Sequence, residues 1–222
     1  MQWYKTSLGK KYVMGLTGLL MVVFVIAHML GNLSIFGGAD GINAYAEHLR
    51  AFPPALWAFR ALMAVAFVLH IYMGTSLYLE NRSARPVEYA NKKNERTSFS
   101  ARTMLWTGLL LGAFVIYHLL HFTLHAWHPE WASLTDQAGR FNVFYMVATS
   151  FTKTGVVVLY IAAMIVLLLH LAHGIQSFFQ SLGLTGDQSL PKLETGGRGL
   201  AFILMVGFML TPALIYFGLI KL

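Results

Sequence analysis

MGLTGLLMVVFVIAHML at residues 14–30 and MLWTGLLLGAFVIYHLL at residues 104–120 are one pattern written twice. Laid over each other they agree at ten of seventeen positions. Shared Leu and Val are cheap in any apolar run. A Thr-Gly pair followed ten residues after the glycine by histidine is not: Thr17, Gly18 and His28 answer Thr107, Gly108 and His118. Both runs lack charge and have the roughly 20 apolar residues that a helix needs to cross a bilayer. The stretch therefore predicts a membrane helix that occurs twice, with a histidine placed deliberately in each copy.

The whole chain fits that reading. Its 222 residues are 57% hydrophobic and only 11% charged, against roughly 25% charged in soluble domains, and mean hydropathy is +0.60. Five uncharged apolar stretches are long enough to span: about 12–36, 56–79, 103–125, 155–182 and 199–220. Lipid offers backbone groups no partner, so each stretch must be helical. The expected fold is an all-α polytopic membrane protein, a single domain over 1–222, with a four-helix core and a fifth helix added. No secretory signal is evident, because the apolar run after Lys10 and Lys11 is longer than a signal core and no cleavage pattern follows it. Cysteine is absent, which excludes disulfides, iron–sulfur ligation by this chain and covalently attached c-type haem.

Charge predicts orientation. With the N-terminus cytoplasmic, the inside segments hold eleven Lys and Arg, among them Lys5, Lys10, Lys11, Arg82, Arg85, Lys92, Lys93 and Arg96. The outside segments hold five: Arg50, Arg60, Arg140, Lys153 and Lys221. The positive-inside rule then places the C-terminus outside. The net charge of +7 reads as topology, and nucleic acid is not an expected partner. Trp57, Trp106, Trp127 and Trp131 lie near span ends, as interfacial aromatics do. The segments 37–55 and 126–142 read as outside loops, and 80–102 as the long inside loop.

A second echo joins LHIYMG (69–74) to LHLAHG (169–174). The first four spans thus form two hairpins in parallel repeat, related by a pseudo-two-fold axis along the membrane normal. Such an arrangement sets the first span opposite the third and the second opposite the fourth. Of nine histidines, His48, His125 and His128 fall near the outer interface, and six lie inside spans, where polar groups are functional candidates by default. At about 1.5 Å per residue, His28 and His118 lie ~25 Å and ~24 Å above the inner end, and His70 and His170 ~15 Å and ~18 Å. Two pairs at two depths, on facing helices, are the arrangement for bis-histidine ligation of two b-type haems. Gly18, Gly108 and Gly112 would let a porphyrin edge approach the backbone.

His121 and His173 lack histidine counterparts in the first hairpin, Met73 standing opposite His173. They are left as partners for a haem propionate or a quinone carbonyl. His118, His121 and His125 share a helical face, but without cysteine or a nearby carboxylate a zinc site is disfavoured.

The segments TGLLMVVFVIAHMLGN, LHIYMG, TGLLLGAFVIYHLLHF and LHLAHGIQSF resemble the di-haem cytochrome b subunit of succinate dehydrogenase/fumarate reductase, the single-chain, five-helix membrane anchor. SLGKKYVMGLTG and GINAYAEHLRAFP extend the likeness over nearly the whole chain. The resemblance implies a flavoprotein and an iron–sulfur subunit on the cytoplasmic face, and electron transfer to or from membrane quinone, usually menaquinone. It also implies that His70 and His170 hold the haem nearer the iron–sulfur subunit, and His28 and His118 the distal one. Relatives use an acidic group near the outer end of the first two helices for quinone proton exchange; Glu47 is the candidate, with Asp40 behind it. Other readings of the same residues are the cytochrome b anchor of a hydrogenase or formate dehydrogenase, and a haem-free transporter whose histidines relay protons.

Overall fold

The first span begins where Thr6, extended in backbone, turns its hydroxyl to accept from Gly9 N at 3.0 Å. That cap starts α1 (Ser7–Asn32), which runs through the whole first copy of the repeat. The computed structural model describes residues 2–84 and 97–221. Arg85, Glu88, Lys92, Lys93, Glu95 and Arg96 lie outside the described residues. After α1 come α2 (Gly38–Arg50), α3 (Pro53–Ser83), α4 (Phe99–Phe122), α5 (Val143–Phe151), α6 (Thr154–Ser181) and α7 (Leu190–Tyr216). Five helical stretches are long and apolar enough to cross a membrane; those beginning at Ser7, Pro53, Phe99, Thr154 and Leu190 supply them. The fold is an all-α polytopic membrane protein. The chain begins at the lower end of the bundle.

The expected spans are all present, with shifted ends. α1 starts five residues earlier than hydropathy suggests because Lys10 and Lys11 are carried inside the helix. Lys10 donates to Ser76 Oγ at 2.9 Å and pairs with Glu80, which ties α1 to α3 at the lower end. α7 starts at Leu190 because Pro191 suits a first helical turn, and the polar stretch that follows winds into the same helix.

Two helices were not expected. Residues 38–50, read as loop, form α2, and 143–151 form α5. Hydropathy misses them because both are short and α2 is amphipathic: it buries Ile42 and Asn43 and leaves Glu47, Leu49 and Arg50 exposed. Asn43, 0% exposed, ties them together. Its Nδ2 donates to Asp136 Oδ2 at 3.1 Å and Asn142 Oδ1 at 3.3 Å, and its Oδ1 accepts from Phe144 N at 2.9 Å. Asp136 in turn holds Arg140 through Nε at 2.9 Å, and Arg140 reaches Asp40 at 2.8 Å. Burial pushes the Asp136 carboxyl up, but the hydrogen bonds from Arg140 and Asn43 outweigh it and hold the group at about 2.

The bundle follows the repeat. α1 packs on α3 and α4 on α6, forming the two hairpins; α1 also lies against α6, and α4 more loosely against α3. α1 and α4 therefore face each other across one diagonal, and α3 and α6 across the other. α7 stands outside this square against α6 and α1. There Ala201 and Leu204 are wholly buried, and Gly207 admits the side chain of Met29. Trp57, Trp106 and Trp127 are exposed, as at an interface. Trp131 is not; it is 3% exposed and lies against His121, His125 and His128.

Candidate functional site

The diagonals bring four histidines into two pairs. His28 on α1 and His118 on α4 have ring centroids 5.9 Å apart. His70 on α3 and His170 on α6 are 6.3 Å apart, nearer the lower end. All four side chains are partly buried. Each of these contacts joins the two histidines that depth and repeat set at one level.

Each lower histidine is held by the neighbouring helix of its own hairpin, and the repeat's threonine faces the ring in both copies. Nδ1 of His70 lies 3.0 Å from Met14 O and 3.4 Å from Thr17 Oγ1. Nδ1 of His170 lies 3.1 Å from Thr107 Oγ1. The threonine hydrogens are already committed to their own helices: Thr17 donates to Val13 O at 2.7 Å and Thr107 to Thr103 O at 3.0 Å. What remains on each oxygen is a lone pair, so the imidazole Nδ1 is the donor. A neutral ring that donates from Nδ1 carries its free lone pair on Nε2.

The glycines after these threonines serve the same rings. A Cβ on Gly18 would stand 3.1 Å from His70 Cε1, and one on Gly108 would stand 3.2 Å from His170 Cε1. Expected to admit a porphyrin edge, both instead admit an imidazole from the adjacent helix; Gly112 faces Ile71. Thr-Gly recurs because the pair is a seat for histidine: the hydroxyl holds one ring nitrogen and the missing side chain gives the ring room.

The upper pair is built differently on its two sides. The ring of His28 stacks on Phe24 at 5.4 Å and lies beside Phe208 of α7 at 5.9 Å. His118 sits among Phe114, Phe122 and Tyr160, with Nδ1 3.3 Å from the Tyr160 hydroxyl. The same hydroxyl is 3.1 Å from His121 Nδ1, and Nε2 of His121 is 3.3 Å from Ser150 Oγ. Tyr160 and Ser150 were missed in the sequence. The visible signal was a tyrosine amid the aliphatic residues of 155–169.

The other candidates are separate from these pairs. Glu47 is exposed on α2 and makes no hydrogen bond among the described residues; Asp40 is exposed and paired with Arg140. His125 is buried against Phe141 and Trp131. Burial lowers its pKa. His128 bonds Glu130 at 2.9 Å and stacks on Trp131. His173 is partly buried; one turn on, Gln176 donates to Glu194 at 3.0 Å. No group of three or more His, Cys, Asp or Glu converges as a metal site among the described residues. Compared with protein-family models, characterised proteins and solved structures, the chain matches none.

Proposed function

We propose that this chain is the cytochrome b anchor of a membrane quinone oxidoreductase, with His28 and His118 holding one b-type haem and His70 and His170 a second. The observation that carries the reading is the separation within each pair. Two metal–imidazole bonds of roughly 2 Å, with about 1 Å from ring centre to nitrogen on either side, set facing imidazole centres about 6 Å apart; 5.9 and 6.3 Å meet this. The donor set also fits, since His70, His118 and His170 are backed through Nδ1, and an imidazole so backed is a metal ligand with a supporting outer shell. Bound haem would supply a one-electron iron couple at each level, closed to oxygen by the second histidine.

The residues then divide the work by depth. The lower pair lies toward the end bearing Lys5, Lys10 and Lys11, which the positive-inside rule favours on the cytoplasmic side, here of a cell inner membrane. The resemblance of the histidine-bearing segments implies a flavoprotein and an iron–sulfur subunit there, and supports succinate oxidation or fumarate reduction as the reaction. Quinone, of the menaquinone class, would be met near the upper pair, with Glu47 on α2 the proposed proton-exchanging group. The Asp40–Arg140 ion pair makes Asp40 the poorer choice.

A reduced-minus-oxidised visible spectrum of the purified chain, with a pyridine haemochrome count, tests the reading. About two b-type haems per chain are expected, and in membranes both are reduced by succinate. Haem reduced by hydrogen or formate and not by succinate would assign the anchor to another dehydrogenase. A folded, colourless chain would sink the cytochrome reading in favour of a proton-relaying transporter.

A further inference from the structure

We infer that Tyr160, backed by His121 and Ser150, is a positioning residue that fixes the tautomer and donor strength of His118 and so sets the upper histidine pair apart from the lower. The consequence for a bound metal rests on the haem reading above; the tautomer itself does not.

The direction of the chain follows from its far end. Ser150 gives its hydrogen to Met146 O at 2.7 Å, leaving only lone pairs to face His121 Nε2 at 3.3 Å. His121 therefore donates from Nε2. Were its Nδ1 also protonated, the Tyr160 oxygen would face N–H groups from both His121 and His118, and its own hydrogen would have no acceptor here. A neutral His121 removes the conflict: its Nδ1 accepts the Tyr160 O–H at 3.1 Å. The phenol oxygen is then free to accept Nδ1–H of His118 at 3.3 Å. Nε2 of His118 is left with the lone pair that a metal requires.

The repeat breaks here, which argues that the chain serves one haem level and not the general fold. The offset of 100 that relates His70 to His170 sets Arg60 against Tyr160, and Arg60 stacks on Trp57 with 4.9 Å from guanidinium to ring. The offset of 90 that relates His28 to His118 sets Gly31 against His121. His28 accordingly makes no side-chain hydrogen bond among the described residues, and its ring lies against Phe24 and Phe208. The lower pair is backed on both sides by threonine, the upper on one side by a phenol in a side-chain chain. An acceptor at Nδ1 raises the basicity of an imidazole ligand. Removing it weakens donation and favours reduced iron, so the potential rises.

The test is nitrogen-15 NMR of the full-length, haem-free chain in bilayers, with Tyr160→Phe and Ser150→Ala beside it. The expected wild-type result is a neutral Nδ1–H tautomer for His118 and an Nε2–H tautomer for His121. His118 should become a mixture in Tyr160→Phe. An Nε2–H tautomer for His118 in the wild type, or no change in Tyr160→Phe, overturns the inference. In haem-loaded protein, potentiometric titration should show the upper haem shifted upward in Tyr160→Phe, less so in Ser150→Ala, and the lower haem unmoved. Equal shifts at both levels, or none, overturn the effect on donor strength. If Tyr160→Phe sheds the upper haem, the Ser150→Ala potential decides in the same way. A wild-type chain that takes up no haem removes the cytochrome reading and leaves the tautomer assignment standing.

Discussion

Thr107 holds His170 with the oxygen left over after its hydrogen has gone to the helix backbone. Valine has the same shape without that oxygen, so Thr107→Val should leave the helix intact and orphan the His170 Nδ1–H. Outer-shell losses of this kind cost about tenfold to a hundredfold in metal affinity. Haem titration should show that weakening at the lower level only, with the upper haem's spectrum unchanged. Gly108→Ala should be harsher. The added Cβ would stand 3.2 Å from His170 Cε1, and the ring must give way by tenths of an ångström. Gly112→Ala is the control, because its nearest neighbour is a flexible Ile71 methyl at 3.6 Å. Loss of lower haem in the first and retention in the second is the expected contrast.

At the scale of elements, the upper end depends on one amide. Asn43 satisfies Asp136, Asn142 and the Phe144 N–H at once, and so fastens α2 to the start of α5. Asp136 keeps Arg140 and Asn142 keeps the Tyr145 N–H, so Asn43→Ala leaves the Phe144 N–H without its acceptor, at about 1–3 kcal/mol, and should lower the midpoint of thermal unfolding. The Asp136 carboxyl adds a pH dependence. Its folded value, about 2, lies below its ordinary 3.8, so the unfolded chain binds the proton more readily. Its stabilising contribution is whole above about pH 4 and is lost as pH falls toward 2. Acid unfolding should begin at this end, and Asp136→Asn should flatten the acid limb of the stability curve in that window.

These two elements also mark what the sequence did not disclose. The spans were legible because apolar length is a direct statement about lipid. α2 and α5 were not, since their stability comes from contacts about a hundred residues away, as between Asn43 and Phe144. The histidine pairs were legible because repeat and rise per residue fix depth and facing together. The chain through Tyr160 was not, because Tyr160, His121 and Ser150 come from α6, α4 and α5 and have no counterpart in the first hairpin. Thr-Gly lay between the two cases: visible as a repeat, but without meaning until the histidine of the neighbouring helix was seen against it.

The whole molecule is two hairpins that complete each other. Neither hairpin holds a pair: His28 and His70 belong to the first, His118 and His170 to the second, and each pair crosses between them. A consequence follows for double variants. Two residues that serve one site lose their separate effects together, whereas independent sites add. Loss of His28 should remove the upper haem, and a further loss of His118 should remove nothing more. Loss of His28 and His70, neighbours within one hairpin, should remove both haems, as should loss of His118 and His170. The measurement is the haemochrome count for the four single and six double alanine variants in folded protein. Retention of one haem in only the His28–His118 and His70–His170 doubles is the expected pattern. One haem surviving in the His28–His70 double would mean that ligands pair within hairpins, against the diagonal geometry of the bundle.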